Sequence, residues 1–156
     1  MSTVKKRSRL LPDNVEFRYE EFPFYWLARV HDIYRLEMEK VLKKLGTDIP
    51  TRRVLLMLQL HGTVSVSELA THAIIKLSTL TRIVQRMREE GLVETRTNAE
   101  DARITDVSIT PKGEELAARI QQATTKIFVK GYQGLTDAQL AKLTELLKVM
   151  FHNFAD

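Results

Sequence analysis

The sequence contains no cysteine in its 156 residues. This absence excludes a disulfide framework, a thiolate zinc site, a cysteine nucleophile and a thiol-based redox switch in the chain. No apolar run approaches the roughly 18 residues of a membrane span, and the first residues lack the apolar core of a secretory signal. We therefore expect a cytoplasmic protein that does not bind a membrane.

Patterns that serve catalysis or cofactor binding are also missing. There is no glycine-rich phosphate loop, the carboxylates are scattered over charged helix faces, and no Ser, His and Asp set has a recognisable setting. His31, His61, His72 and His152 lack paired metal-ligand spacing, so we assign them to the surface or to packing. We expect neither an enzyme nor a protein that holds a cofactor or metal.

The composition is that of a folded chain, with 44% hydrophobic and 28% charged residues but only 6 Gly and 4 Pro. Its length suits one domain. Lys5, Lys6, Arg7 and Arg9 supply the whole net charge of +4, because the chain has no acid before Asp13. Residues 1–21 are therefore predicted to form a basic flexible arm, either a solvated tail or a segment that grasps DNA.

Amphipathic helices are predicted at both ends of the chain. One begins at Pro23 and ends at Gly46, and another begins at the Thr110-Pro111 cap and breaks at Gly131. A last helix follows a capping box at residues 136–139, and its apolar residues recur at steps of three and four: Leu140, Leu143, Leu147, Met150 and Phe154. We assign residues 22–46 and 111–156 to a helical dimerisation region, because one small domain would struggle to bury these surfaces alone.

Residues 47–110 show the order of a winged helix-turn-helix. A helix over 51–61 is followed by a capping box at Ser65 and Glu68, a short helix ending near Ala73, and a further helix over 77–90. Two strands, 92–96 and 103–109, then flank a polar loop and predict a hairpin wing. The fold class is mainly α with a small β-hairpin wing, in a single intertwined domain.

The helix over 77–90 has two chemically distinct sides. On a wheel of about 100° per residue, the side expected to face the core carries five apolar residues: Leu77, Leu80, Ile83, Val84 and Met87. The opposite arc over the first turns carries Ser78, Thr81, Arg82 and Gln85, flanked by Thr79 and Arg86. Together with Lys76, which precedes the helix, they form what we call the reading face. These side chains can bond to base edges and phosphates. Any solvated helix can show such residues, but the order of elements favours a helix that enters the major groove.

Two strings of residues resemble the MarR (multiple antibiotic resistance regulator) family of transcription factors: SVSELATHAIIKLSTLTRIVQRMREEGLVETR and DARITDVSITPKG. The resemblance extends over residues 24–151. The second string is similar to the family's Asp-x-Arg followed by Leu-Thr-x-x-Gly, with Ile109 in place of the leucine. Arg52 stands where the family commonly has a Trp.

The resemblance implies a homodimer whose first and last helices interlock while two winged helices grip a pseudo-palindromic operator in double-stranded DNA. It also implies that Arg103 enters the minor groove and that Asp101 braces it. The alternative for this pair is an ordinary hairpin ion pair.

Proteins similar to this one often bind phenolic or aromatic acids between the dimerisation helices and the winged helix. Six aromatic residues lie within 17–26, and a cation beside rings suits such an anion. The candidate ligand residues are Tyr25, Trp26, Arg29 and Arg53, for each of which a structural role is the alternative. A small organic effector would release DNA by favouring an unsuitable separation of the two reading helices.

We therefore predict a sequence-specific, DNA-binding transcriptional regulator, a dimeric repressor that a small ligand releases from its operator. Two other functions stay open. One is an architectural protein that binds DNA with little sequence preference, and the other is a protein-interaction module on a winged-helix scaffold.

Overall fold

The computed structural model describes residues 8–155, and the predicted arm cations Lys5, Lys6 and Arg7 lie outside them. This part of the chain is mainly helical with a small sheet, which confirms the predicted fold class. The helices are α1 (Pro23–Lys44), α2 (Ile49–His61), α3 (Val66–Ala73), α4 (Leu77–Glu89), α5 (Pro111–Gly131) and α6 (Asp137–Ala155). The strands are β1 (Val64–Ser65), β2 (Val93–Thr97) and β3 (Thr105–Ile109). None of the helices in residues 8–155 has the length and apolar character needed to span a bilayer.

The chain divides into two units, one up to Gly46 and the other from Thr47 onward. The first unit contains α1 and two short 3-10 turns, Ser8–Leu10 and Tyr19–Glu21. The two turns lie within the segment predicted as a flexible arm. They are not predictable from the sequence pattern, because a single turn has no apolar period.

Side-chain caps set most helix starts in the second unit. The Asp48 carboxylate accepts a hydrogen bond from the Thr51 amide at 2.9 Å, so α2 begins at Ile49 and the predicted start at Thr51 was wrong. The predicted capping box of Ser65 and Glu68 is confirmed, with bonds of 3.1 and 3.0 Å. The Thr110 hydroxyl likewise accepts from the backbone amide at residue 113 at 3.0 Å.

The core of the second unit forms where α2 packs against α3, α4 and α5. It is built from buried aliphatic side chains and one methionine: Val54, Leu55, Leu58, Leu69, Leu80, Met87, Val93 and Val107. At its edge the exposed rings of His61 and His72 stack with their centroids 3.8 Å apart, in agreement with a surface or packing role. This core fixes α4 and the hairpin relative to each other.

The sheet has three antiparallel strands in the order β1-β3-β2, whereas the sequence predicted only a two-stranded hairpin. The missed strand, β1, pairs Val64 with Val107, and its two residues are too short to show a period of two. The predicted strand bounds were also wrong by one or two residues. Leu92 is buried before β2, and Arg103 and Ile104, predicted as strand, belong to the loop between β2 and β3.

Leu77 was predicted to face the core, but it is 51% exposed. It is the first residue of α4 and lies at the edge of the apolar side, so no preceding helical turn covers it. The other four predicted core residues of α4 are buried or half-buried.

Candidate nucleic-acid interface

Helix α4 separates its two sides as its sequence pattern predicts. Leu80, Val84 and Met87 are buried, which fixes the rotation of the helix about its axis. All residues of the reading face are exposed: Lys76, Ser78, Thr79, Thr81, Arg82, Gln85 and Arg86. The structure therefore brings the predicted residues of α4 together on one surface.

The side chains of the reading face differ in how they are held. The Thr81 hydroxyl donates to the Leu77 carbonyl at 2.8 Å, and the Gln85 amide donates to the Glu89 carboxylate at 3.2 Å. Within residues 8–155, Arg82 forms neither an ion pair nor a side-chain hydrogen bond. Its guanidinium keeps all five donors available to an anionic partner.

Arg86, by contrast, has partners within the protein. Its Nη1 lies 3.0 Å from Oδ2 of Asp48, and its Nη2 donates to Oδ1 of Asp48 at 3.3 Å and to the Thr51 hydroxyl at 2.9 Å. Its Nε lies 3.8 Å from a carboxylate oxygen of Glu90. Partial burial raises the pKa of Asp48, but the hydrogen bonds from Thr51 and the charge of Arg86 outweigh it and hold that pKa below its ordinary value.

The connection between α3 and α4 is an unusual one. The amide of Ile75 donates to the Ala70 carbonyl at 3.0 Å, which closes α3, and Ile74 takes a left-handed backbone conformation with φ 54°. Among residues 8–155 no side chain caps the start of α4, so the first amide groups of the helix, which follow Lys76, have no side-chain acceptor there. The reading face thus begins at open backbone donors.

The wing loop is organised by one side chain. The Asn98 side-chain oxygen accepts from the amides of Glu100 and Asp101 at 2.9 and 3.1 Å, while its nitrogen donates to Asp106 at 2.9 Å. This turn presents Arg103, whose side chain is 90% exposed, at the end of the hairpin.

Asp101 holds Arg103 side-on. Its carboxylate accepts from Nε at 3.0 Å and from Nη2 at 2.9 Å, so that Nη1 points away from the pair. The hydrogen bond from the Arg103 side chain lowers the pKa of Asp101, and the same bond raises the pKa of Arg103. These hydrogen bonds favour the charged form of both side chains and leave the two N–H groups of Nη1 directed outward.

The ligand candidates from the sequence lie in different units. In the first unit, the Arg29 guanidinium lies 5.3 Å from the centre of the Tyr25 ring, and Trp26 donates its indole N–H to the Glu20 carbonyl at 2.8 Å. These contacts give each of the three residues a local structural partner. In the second unit, Arg53 donates to the Ala73 carbonyl at 3.4 Å.

A cavity of about 260 Å³ lies between α2 and α5 in the second unit. None of its lining residues was predicted to bind a ligand. Apolar and polar side chains both line it: Arg52, Leu55, Leu56, Gln59, Ala117, Ile120, Gln121, Thr124, Thr125 and Phe128. Arg52, not its neighbour Arg53, is the cation on this cavity.

Comparison with known proteins identifies a family and relatives that cover most of the chain. Residues 45–104 match the profile described as MarR family. The chain is 51% identical over 142 residues to the HTH-type transcriptional repressor IacR of Pseudomonas putida, covering 91% of this chain and 85% of IacR.

Solved structures share the fold. A mutant MarR from E. coli, crystallised with operator DNA, superposes with a TM-score of 0.73 at 23% identity, covering 80% of this chain and 90% of that one. Bordetella bronchiseptica BpsR, whose DNA binding is regulated by 6-hydroxynicotinic acid, superposes with a TM-score of 0.72 at 20% identity, covering 81% of this chain and 96% of that one. Both likenesses concern the fold.

Proposed function

This chain belongs to the MarR family of transcriptional regulators, and we propose that it is a dimeric cytoplasmic repressor that reads an operator and leaves it when a small ligand binds. Its relative IacR is named a repressor, and MarR has been crystallised on operator DNA. Regulators of this family are not enzymes.

The observation that carries the proposal is the state of Arg82. It stands in the middle of the reading face, exposed and without a protein partner among residues 8–155. An exposed, unpaired arginine on the second helix of a helix-turn-helix can reach guanine edges or phosphates in the major groove. An interaction module could also use a free arginine, so the affinity of an Arg82 variant for DNA distinguishes the two functions.

The remaining residues of the interface take roles that follow from their chemistry. Lys76 and the open amides at the start of α4 suit a phosphate, since a helix N-terminus attracts anions. Around Arg82, hydroxyl and amide side chains are placed to contact backbone oxygens or base edges: Ser78, Thr79, Thr81 and Gln85. On the wing, Arg103 reaches the minor groove while Asp101 orients it.

Dimerisation is supported by apolar surface that the chain leaves uncovered. Helix α6 has no buried residue, although Leu143, Leu146 and Phe151 are large and apolar and each is about half exposed. Helix α1 likewise exposes Val30 and Ile33. Faces of this kind require a partner, and a second copy supplies the same face by symmetry.

Light scattering of Leu143→Glu tests the dimer, with Lys148→Glu as the control. Both variants place one glutamate on α6, but only the first places it on the apolar face. We expect wild type and Lys148→Glu to have twice the mass of one chain, and Leu143→Glu to dissociate or unfold. A monomeric wild type overturns the dimer.

The ligand proposal places an aromatic carboxylate in the cavity between α2 and α5. Leu55, Leu56 and Phe128 offer an apolar wall, and Arg52 offers a cation for the carboxylate. BpsR provides a precedent for a ring acid of this size. Arg53, the cation predicted from the sequence, donates a hydrogen bond to the Ala73 carbonyl. It is the alternative candidate for binding the ligand carboxylate.

Thermal melting with 6-hydroxynicotinate and benzoate tests this site. A ligand at about one hundred times its Kd adds about 2.7 kcal/mol to the folded state, which raises the melting temperature. We expect Arg52→Gln to abolish the increase and Arg53→Gln to keep it. The reverse result assigns the site to Arg53. If neither acid raises the melting temperature of wild type, the proposal of an aromatic carboxylate ligand is wrong.

Hydroxyl-radical footprinting of the DNA upstream of the protein's own gene tests the repressor. We expect two protected half-sites whose centres lie about 10 base pairs apart, because two reading helices of a dimer meet successive major grooves. Protection spread evenly along the duplex favours an architectural protein, and absence of protection favours an interaction module.

A further inference from the structure

Arg86 differs from Arg82 in a way that its place on the reading face does not explain. Both are exposed arginines on α4, four residues apart, and both were predicted to contact DNA. Arg82 has no partner among the residues that the structure describes, whereas Arg86 makes three contacts below 3.5 Å with Asp48 and Thr51. These contacts involve both terminal nitrogens of the guanidinium, which a bidentate contact with a base edge would otherwise use.

The partners of Arg86 lie at the start of another helix. Asp48 is the N-cap of α2, and its Oδ1 accepts from the Thr51 amide at 2.9 Å. Thr51 is 2% exposed, so the hydroxyl that receives Nη2 is fixed by the core. The contact joins residues 38 positions apart in sequence and ties the outer side of α4 to the beginning of α2.

The fork geometry makes this contact directional. Nη1 and Nη2 each approach a different oxygen of the Asp48 carboxylate, an arrangement that fixes an angle as well as a distance. The buried side of α4 already sets its rotation, and the Arg86 contact restrains the opposite flank. A reading helix restrained on two sides keeps its side chains within the narrow geometry that base recognition demands.

We propose that Arg86 is a positioning residue for DNA recognition, which Asp48 and Thr51 hold so that it locks α4 against α2 without contacting DNA itself. The inference rests on the proposed function, because positioning has a meaning only if α4 reads DNA. It reassigns one residue of the predicted interface and adds two from outside it, Asp48 and Thr51.

Three conservative variants separate positioning from contact. Asp48→Asn keeps the helix cap, since Asn caps as well as Asp, but removes the charge. Arg86→Gln removes the guanidinium, and Thr51→Val keeps the shape of the buried side chain without its hydroxyl. Arg82→Gln is the matched variant for direct contact. Urea unfolding first establishes that each variant is folded.

The affinity of each variant is measured by fluorescence anisotropy over a salt series, on the upstream duplex and on a random duplex. We expect Asp48→Asn and Arg86→Gln to weaken specific binding about tenfold each, and their combination to do little more, because both remove one contact. Their salt slopes and their affinity for the random duplex should equal those of wild type. Arg82→Gln, which removes a direct base contact, should weaken specific binding by about 10- to 100-fold.

The outcomes that overturn the proposal are distinct. If Arg86 contacts a phosphate, Arg86→Gln lowers the salt slope by about one, and Asp48→Asn binds as tightly as wild type or more tightly because an acid near DNA is gone. Additive losses in the double variant overturn it equally. If wild type does not discriminate between the two duplexes, the proposed function fails and positioning fails with it, whereas the first two results leave the proposed function intact.

Discussion

The backbone of Gly113 lies directly against the carbonyl oxygen of Leu92, and a Cβ atom at this position would also lie 2.8 Å from Cγ1 of Ile109. Gly113 is in the first turn of α5, and Leu92 immediately precedes β2, so this close approach joins the wing to the helix that follows it. The final glycine of the family-like string at residues 101–113 thus has a steric reason.

Gly113→Ala should destabilise the protein, because the added methyl group meets backbone that cannot move aside. We expect a loss of about 1–3 kcal/mol in the free energy of unfolding, measured by urea denaturation. Gly131→Ala is the control, since no other atom of residues 8–155 lies within 4 Å of its Cβ position. It should be neutral or stabilise by up to about 1 kcal/mol. Equal effects at the two positions would contradict the steric reason.

Ile74→Asn should stabilise the protein. Ile74 has φ 54° and is 74% exposed, so a β-branched residue holds a left-handed conformation while burying little surface. Asn tolerates this region, and relief of the strain is worth about 1 kcal/mol. Val129→Asn in α5, at another exposed β-branched residue, should change stability little. A melting temperature for Ile74→Asn at or below that of wild type refutes the strain.

Acid should weaken the fold partly through Asp48. Partial burial raises its pKa, yet the Thr51 hydrogen bonds and Arg86 bring it below its ordinary value of 3.8. The contribution to stability is therefore full above that value and is lost as the pH falls through the lower pKa of the folded state. Urea midpoints measured at neutral pH and across this acid range should fall less for Asp48→Asn than for wild type. If the urea midpoints of the two proteins fall by the same amount as the pH decreases, the Asp48 carboxylate does not contribute to stability in this way.

Asp101→Asn separates bracing from simple charge. If the carboxylate matters only as a negative charge near DNA, its removal should strengthen binding to every duplex. If it orients Arg103, as the two hydrogen bonds of 3.0 and 2.9 Å suggest, specific affinity should fall while affinity for random DNA does not. Anisotropy on the two duplexes measures both, and Glu100→Gln, a neighbouring acid in the wing loop, is the control.

Local chemistry in the sequence predicts the parts of this fold that depend on neighbours in the chain. The caps at Ser65 and Thr110 were predicted correctly, because a cap needs only a polar side chain and an amide two or three residues away. The apolar side of α4 was predicted for the same reason, except at Leu77, where the helix begins.

Contacts between distant residues were not predictable in the same way. Strand β1 exists only because Val64 meets Val107, and Arg86 meets Asp48 only after α2 and α4 have packed. Composition and periodicity do not predict contacts of this kind. For that reason the sequence does not predict the contact of Arg86 with Asp48, and the roles of Arg86, Arg52 and Arg53 stay predictions that the variants above test.

The central claim is that the exposed side of α4 reads a specific DNA sequence, and the specificity ratio tests it most directly. The ratio compares affinity for the upstream duplex with affinity for a scrambled duplex at physiological salt, for wild type, Arg82→Ala and Arg119→Ala, an exposed arginine of α5. We predict a wild-type ratio of at least about 10³, a loss of about 1–3 kcal/mol of specific binding in Arg82→Ala, and no change in Arg119→Ala. A wild-type ratio near one, or an Arg82→Ala variant that binds as wild type does, would contradict the account.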